Sequence, residues 1–255
     1  MSALLSHAPS DGASAPAARG PSFVIGAGAE AFAAIASPDV NLAIWDRPVD
    51  AEVQAWLAEA LPTFPSFEER LRLVDGVPDA GPMVAGLPQG PLRDRLAADL
   101  THLARLLVGA LPPGPALTIV ASFGPVRDDL CRKFHVDWVA LRLLTTWIGP
   151  GTEWLADADV DRSRLGPSAA CPTEANRAVL RSPLAMRSAR PGQVLLMKGE
   201  AWPGNAGRGL VHRSPPITPG DGSEAPPRLL LTITARAAEA SVRQSRAVKR
   251  IIAPG

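Results

Sequence analysis

Phe134-His135-Val136-Asp137 opens an apolar run that continues through Trp138-Val139-Ala140-Leu141-Arg142-Leu143-Leu144-Thr145-Thr146-Trp147-Ile148. Successive side chains of a strand point to opposite faces, so His135 and Asp137 share one face and Val136 takes the other. Counting on, Val139, Leu141, Leu143 and Trp147 fall on the His135 face, with Trp138, Ala140, Arg142, Leu144 and Ile148 opposite. Apolar residues on both faces predict a strand covered on both sides, by the interior of a barrel or sandwich on one and by helices on the other. His135 and Asp137 are half of a small chelating site. With a second His they make the facial triad that holds non-haem Fe(II) and leaves coordination positions open. The bland alternative is a hydrogen-bonded pair at a strand start.

The chain has 255 residues, 46% of them hydrophobic, enough to bury the core of a single domain. A net charge of +1 provides no field for nucleic acid or an anionic membrane, and no apolar run approaches a spanning length. The first residues have no charged start followed by a hydrophobic core, so no secretory signal is expected and a cytoplasmic protein is the default. Cys131 and Cys171 are the only cysteines, too few for a disulfide framework, and are expected as free thiols. There is no phosphate-cradling glycine loop and no nucleophile elbow.

Residues 1–21 are Ala, Ser, Pro and Gly with few bulky apolar groups, which predicts a disordered tail. A single folded domain is expected over 22–235. It begins near Phe23 and includes a short strand at Leu42–Trp45 and a helix over Ala51–Leu61. A second helical piece is expected from Ser66 to Val74, then a Gly- and Pro-rich connector. A long helix follows over Pro91–Ala110, with proline in its first turn and Leu92, Leu96, Leu100, Leu103 and Leu107 at helical spacing. From Pro115 the pattern turns to β: Ala116–Phe123, Phe134–Ile148, Gln193–Lys198, Leu210–Arg213 and Arg228–Ala235, with a short helix over Thr173–Arg181 capped by Thr173. Residues 236–255 form a basic tail, expected to be solvated.

With four histidines in the chain, the search for the second imidazole is short. His7 lies in the N-terminal tail and His102 on the polar flank of the long helix. His212, on a late strand, is the candidate. An early strand bringing His and Asp and a late one bringing the distal His is the order of a double-stranded β-helix. Arg228 then opens the apolar strand Leu229-Leu230-Leu231-Thr232-Ile233. A guanidinium there needs a partner, and a carboxylate fits its fork best. Arg142, counted opposite His135, is expected to pair with a carboxylate in the outer layer. Trp138, Trp147, Trp154 and Trp202 are candidates for the mouth of a site, against packing as the commoner use of Trp.

These residues resemble the Fe(II)/2-oxoglutarate-dependent dioxygenase superfamily, whose pattern is His-x-Asp, a distal His, and an Arg that anchors the far carboxylate of 2-oxoglutarate. More narrowly, Phe134-His135-Val136-Asp137, Arg142-Leu143-Leu144-Thr145-Thr146-Trp147, Gly149-Pro150-Gly151-Thr152-Glu153-Trp154-Leu155, Lys198-Gly199-Glu200 and Gly207-Arg208-Gly209-Leu210-Val211-His212-Arg213-Ser214 are similar to an uncharacterised bacterial family, domain of unknown function 1826, over roughly Phe23 to Ala235. The resemblance implies an α+β fold with a double-stranded β-helix (jelly-roll, cupin-like) core covered on one face by the N-terminal helices. It implies His135, Asp137 and His212 as Fe(II) ligands, Arg228 as the 2-oxoglutarate anchor, and hydroxylation of a small-molecule or protein substrate. Two features depart from the pattern: the long Gly- and Pro-rich stretch Pro215–Pro227 between His212 and Arg228, and Leu230 where a small hydroxylic residue often stands, for which Thr232 is the substitute.

Two other readings stand beside this one. Cys131, His135, Cys171 and His212 together would make a closed structural zinc site, with no use for Asp137. A cupin-like binding module without 2-oxoglutarate would use the same fold, because fold alone does not fix function. Substrate choice is expected to lie in the segments Leu155–Arg190 and Pro215–Pro227.

Overall fold

A computed structural model describes residues 21–74, 77–114, 117–126, 131–166, 170–216 and 228–237. The expected tails over 1–20 and 238–255 and most of the Pro215–Pro227 stretch lie outside these residues. β1 (Phe23–Gly26) and β2 (Leu42–Trp45) run parallel, joined through a 3-10 helix at Ala29–Ala36. Helix α1 (Ala51–Ala60) starts where the Asp50 carboxylate accepts hydrogen bonds from the backbone N–H groups of Glu52 and Val53, satisfying two donors of the first turn. It gives way to a 3-10 turn at Leu61–Thr63, where Pro62 has no N–H to continue the helix.

The next stretch overturns its expectation. Residues 66–74 form no helix but strands β3 (Phe67–Arg70) and β4 (Leu73–Val74), the latter paired with β5 (Val77–Pro78). Glu and Arg favour helices locally, yet Phe67 to Arg70 lie along an otherwise open sheet edge, opposite Phe123 to Val120, and that pairing overrides propensity. Helix α2 (Pro91–Gly109) follows the long apolar stripe as expected, entered through Gly90 at φ 148°, a conformation that L side chains rarely adopt.

The second half is β-rich: β6 (Leu117–Val126), β7 (Leu141–Ile148), β8 (Glu153–Leu155), helix α3 (Pro172–Val179), then β9 (Arg187–Ser188), β10 (Val194–Lys198), β11 (Val211–Arg213) and β12 (Arg228–Ala237). Helix α3 begins one residue before Thr173, which is therefore not its cap; Cys171 is, without a side-chain hydrogen bond. The single strand expected over Phe134–Ile148 is broken. His135 makes one antiparallel bridge to His212, the chain bends through Trp138 to Ala140, and β7 begins only at Leu141. The turn after β10 holds that bend: the N–H groups of Gly199, Glu200 and Ala201 donate to the carbonyls of Ala140, Asp137 and Val139. A Cβ on Gly199 would meet the Val139 and Asp137 carbonyl oxygens at 2.2 and 2.6 Å, so this close approach requires glycine.

A seven-stranded sheet has the order β1-β2-β10-β7-β12-β6-β3, and a three-stranded sheet the order β11-β8-β9. The fold is α+β. Leu57 of α1 and Leu96, Leu100, Leu103 and Leu107 of α2 share one core with Leu143, Trp147, Leu196, Leu229, Leu231 and Ile233 of the large sheet. Each of these fully buried side chains contributes roughly 1.5–3 kcal/mol. A second cluster lies on the other face of that sheet, where Leu144, Leu195 and Met197 meet Trp154 of β8 and Leu210. A third lies beyond the small sheet and joins Leu155 and Val211 to Val179 of α3. The order of layers is therefore helices, large sheet, small sheet, α3. Among the described residues no helix is long and apolar enough to cross a membrane.

The break at 138–140 also reverses the sequence-based assignment of faces. Leu141, Leu143 and Trp147 pack under the helices, while Arg142, Leu144 and Thr146 look into the space between the sheets. Strand alternation holds on each side of the bend but does not carry across it.

Candidate metal centre

His135 and His212 are brought abreast by the backbone. Each donates its N–H to the other's carbonyl, at 3.0 and 3.1 Å, and the ring centroids are 4.5 Å apart. The segment before His135 is clamped by buried Asn176 of α3, whose Oδ1 accepts from the Phe134 N–H and whose Nδ2 donates to the Arg132 carbonyl. His212 sits opposite Trp154 and shares its face, the inner one of the small sheet. Asp137 is two residues past His135, at the bend, where local alternation still turns it to the same side.

The ligand-capable atoms of His135, Asp137 and His212 lie within 4.8 Å of one another, and no other His, Cys, Asp or Glu joins them among the described residues. Both Nδ1 atoms face backbone carbonyls, His135 that of Lys133 at 2.9 Å and His212 that of Leu210 at 3.1 Å. A proton on each Nδ1 leaves each Nε2 with a free lone pair, the tautomer a metal ligand needs. Nε2 of His212 is 3.3 Å and Nε2 of His135 is 3.9 Å from the Asp137 carboxylate. Asp137 Oδ2 is buried and accepts no well-aligned hydrogen bond, even with Arg142 Nη1 at 2.6 Å. Burial alone would raise this carboxyl, but the His212 ring and the Arg142 guanidinium outweigh it and hold the group below the usual carboxylate range. Two nitrogen lone pairs and one carboxylate fit a divalent transition metal. Arg142 is not in an outer layer. It lies against Asp137 with its Nε donating to Thr234 Oγ1 at 3.1 Å, because the bend turned it inward.

Arg228 opens β12 on the same inner surface and is 5% exposed. Among the described residues its guanidinium is met by hydroxyls alone: Thr152 Oγ1 at 2.6 Å, Ser214 Oγ at 3.4 Å and Thr146 Oγ1 at 3.5 Å. Its Nε is buried without a partner, and it makes no ion pair among the described residues. Burial pushes its pKa down to about 10, with the Glu153 charge opposing. Thr232 lies on the same strand and the same inner face, opposite Leu144. The hydroxyl-rich run Leu144-Thr145-Thr146 and the Gly-Thr turn before β8 were the available signals, but only the fold brings them to one guanidinium.

The other candidates separate cleanly. Trp147 and Trp202 pack on the helix side, Trp154 is buried between the sheets, and Trp138, next to Asp137, is 65% exposed. His102 is exposed on α2 and meets the edge of Trp45. Cys131 and Cys171 are exposed free thiols and do not join the His–Asp–His group, so the four-ligand zinc set is not assembled.

The family model described as "Protein of unknown function (DUF1826)" matches residues 26–233. No curated protein matches the chain. Among solved structures, one similar chain is the Fe(II)/(alpha)ketoglutarate-dependent dioxygenase TqaL, at 15% identity and a TM-score of 0.42, with 73% of this chain and 74% of that chain covered. Another is a bsmA homolog from Methylobium petroleophilum PM1, at 14% identity and 0.42, covering 82% and 93%. A third is Neurospora crassa T7H in complex with alpha-KG, at 12% identity and 0.40, covering 84% and 83%. Likenesses of this strength do not by themselves fix chemistry, which has to come from strand order and donor geometry.

Proposed function

The chain belongs to the DUF1826 family, and we propose that it is a non-haem Fe(II)/2-oxoglutarate-dependent oxygenase built on a double-stranded β-helix. The order β10-β7-β12-β6 in the large sheet, facing the His135 segment, β11, β8 and β9 in the small one, supports that architecture. Along the chain these eight segments change sheet at every step except β8 to β9, which pair within the small sheet, the arrangement of a jelly roll. His135, Asp137 and His212 are the proposed ligands. Bound there, Fe(II) would couple oxidative decarboxylation of 2-oxoglutarate to hydroxylation of a substrate held nearby, the hard chemistry belonging to the metal.

The protein's own part is to orient and to exclude water. The carbonyls of Lys133 and Leu210 fix both imidazole tautomers, and Arg142 steadies the carboxylate. The observation that carries the cosubstrate assignment is Arg228, a buried guanidinium cradled, among the described residues, only by hydroxyls on the same inner surface as the trio. A buried cation without a counter-ion is costly, and a dianionic 2-oxo acid reaching from the metal would supply one. The substrate is proposed to be a small molecule or a protein segment.

The test is anaerobic addition of Fe(II) and then 2-oxoglutarate, followed by visible spectroscopy. The expected result is a weak metal-to-ligand charge-transfer band that needs both additions and is absent in His135→Ala. Iron binding without a band would leave a metal-binding module of the cupin kind, and unaltered metal content in His135→Ala would remove the site itself.

A further inference from the structure

Strand β12 carries a second arginine on the face of Arg228. Residues paired across a sheet share a face, so Thr234, opposite Arg142, and Arg236, two residues on, look into the same space between the sheets as the trio. The hydrogen bond from Arg142 to Thr234 and its contact with Asp137 mark this as the metal end of the strand. Arg228 opens the strand, and its guanidinium reaches Ser214, two residues past His212, so the trio lies between Arg228 and this end.

The two arginines at the metal end are differently employed. Arg142 answers Asp137. Arg236 makes no hydrogen bond or ion pair among the described residues, and its Nε is buried without a partner. Burial and the repulsion of Arg142 weaken its hold on its proton, opposed by Asp137 and by Glu68 of β3. Glu68 is exposed on the edge strand and Asp137 is taken up by Arg142 and the trio, so neither serves Arg236 as a bonded counter-ion.

The surface leading to Arg236 is open as well as polar. On β6 and β12 the helix-side residues Ile119, Ala121, Phe123, Leu231 and Ile233 are buried; on the inner face Arg228 and Thr234 are buried as well, but Thr118, Val120, Ser122, Thr232 and Arg236 are only half-buried. Solvent therefore reaches the large sheet on the side of the trio. A half-desolvated guanidinium with unused donors, beside a second one, selects an anion whose oxygens match its fork.

We propose that the substrate of this site carries an anionic oxygen group, a carboxylate or a phosphate, which docks on Arg236 at the metal end of β12, away from the 2-oxoglutarate anchor at Arg228. The assignment rests on the reading of His135, Asp137 and His212 as the metal centre.

Mn(II) bound to the trio serves as a paramagnetic probe, with N-oxalylglycine saturating the Arg228 end. Relaxation of the phosphorus of inorganic phosphate and of the carboxyl carbon of acetate is then measured as each is titrated in. The wild type should accelerate relaxation of at least one anion, and which one responds separates phosphate from carboxylate. In Arg236→Gln the apparent affinity should fall about tenfold or more, with part recovered in Arg236→Lys. Water-proton relaxation in the same samples reports whether Mn(II) is bound, and circular dichroism reports folding. Bound Mn(II) with no effect on either anion, or an effect equal in Arg236→Gln, overturns the proposal and leaves the metal centre standing. Failure to bind Mn(II) overturns the metal centre and the proposal with it.

Discussion

Replacing Arg228 by Met separates a ligand-binding arginine from a structural one, because the two roles have opposite signatures in stability. Burial lowers the Arg228 pKa from 12.5 to about 10, and at about 1.4 kcal/mol per unit the folded state bears a cost on the order of 3 kcal/mol for keeping this cation charged at neutral pH. Met removes that cost but strands the Thr152 hydroxyl, now bonded at 2.6 Å, at about 1–2 kcal/mol. The expected net change in unfolding free energy without ligand is within about 1–2 kcal/mol of zero, on the stabilising side. Affinity for 2-oxoglutarate should move the other way. Losing a charged, two-pronged contact worth about 1.5–3 kcal/mol weakens binding roughly 10- to 150-fold. Guanidinium chloride unfolding measures the first quantity, and calorimetric titration of 2-oxoglutarate into the Mn(II) protein measures the second. A variant destabilised by about 3 kcal/mol or more that still binds 2-oxoglutarate like the wild type would refute the reasoning and make Arg228 a structural cation.

Three further outcomes are expected. Arg142→Met removes the group that steadies Asp137, and metal affinity measured by competition with a chromophoric chelator should fall about 10- to 100-fold; an unchanged affinity would disconnect Arg142 from the centre. Changing Cys131 and Cys171 together to Ser should leave metal content, read by elemental analysis, at the wild-type level, and its loss would restore the four-ligand zinc set. Lys198 is 2% exposed, donates to the Ser37 carbonyl and lies over the Trp202 ring. Burial and the nearby Arg208 charge lower its pKa from 10.5 to about 8 against the pull of Asp39. The unfolded chain therefore binds more protons between those values, so relative to Lys198→Met the wild type should gain about 1–3 kcal/mol as pH rises through that window. Denaturant unfolding at several pH values reads the difference, and a flat difference contradicts the buried-charge account.

The metal-capable trio was legible in the sequence for local reasons. Alternation holds over the two residues from His135 to Asp137, and with so few histidines a second ligand had little competition. Alternation then failed over the bend at Trp138–Ala140, which is as apolar as the strands around it and so leaves no mark in the pattern. That is why Arg142 was counted away from the site it supports. The helix expected over Ser66–Val74 failed for a different reason: Phe67-Glu68-Glu69-Arg70 has no strong period, and the vacant edge of β6 decided its state. The hydroxyl cradle of Arg228 and the Asn176 clamp draw on segments far apart in the chain. Such convergence belongs to topology, which no local window contains.

The mutual backbone bridge between His135 and His212 would also tie a metal bound there to the folding of the chain. The two histidines are separated by about 80 residues, so an ion held by both closes a long loop. A permanent link of that span would remove roughly 4–5 kcal/mol of disorder from the unfolded ensemble, whereas an ion that binds only the folded pair stabilises by mass action. The pair exists only once β7 through β11 have come together. On the proposed reading, metal uptake would be a late event that locks two sheets already assembled. Depletion of metal should loosen the small sheet and α3 before it disturbs the helices packed on the far side of the large one.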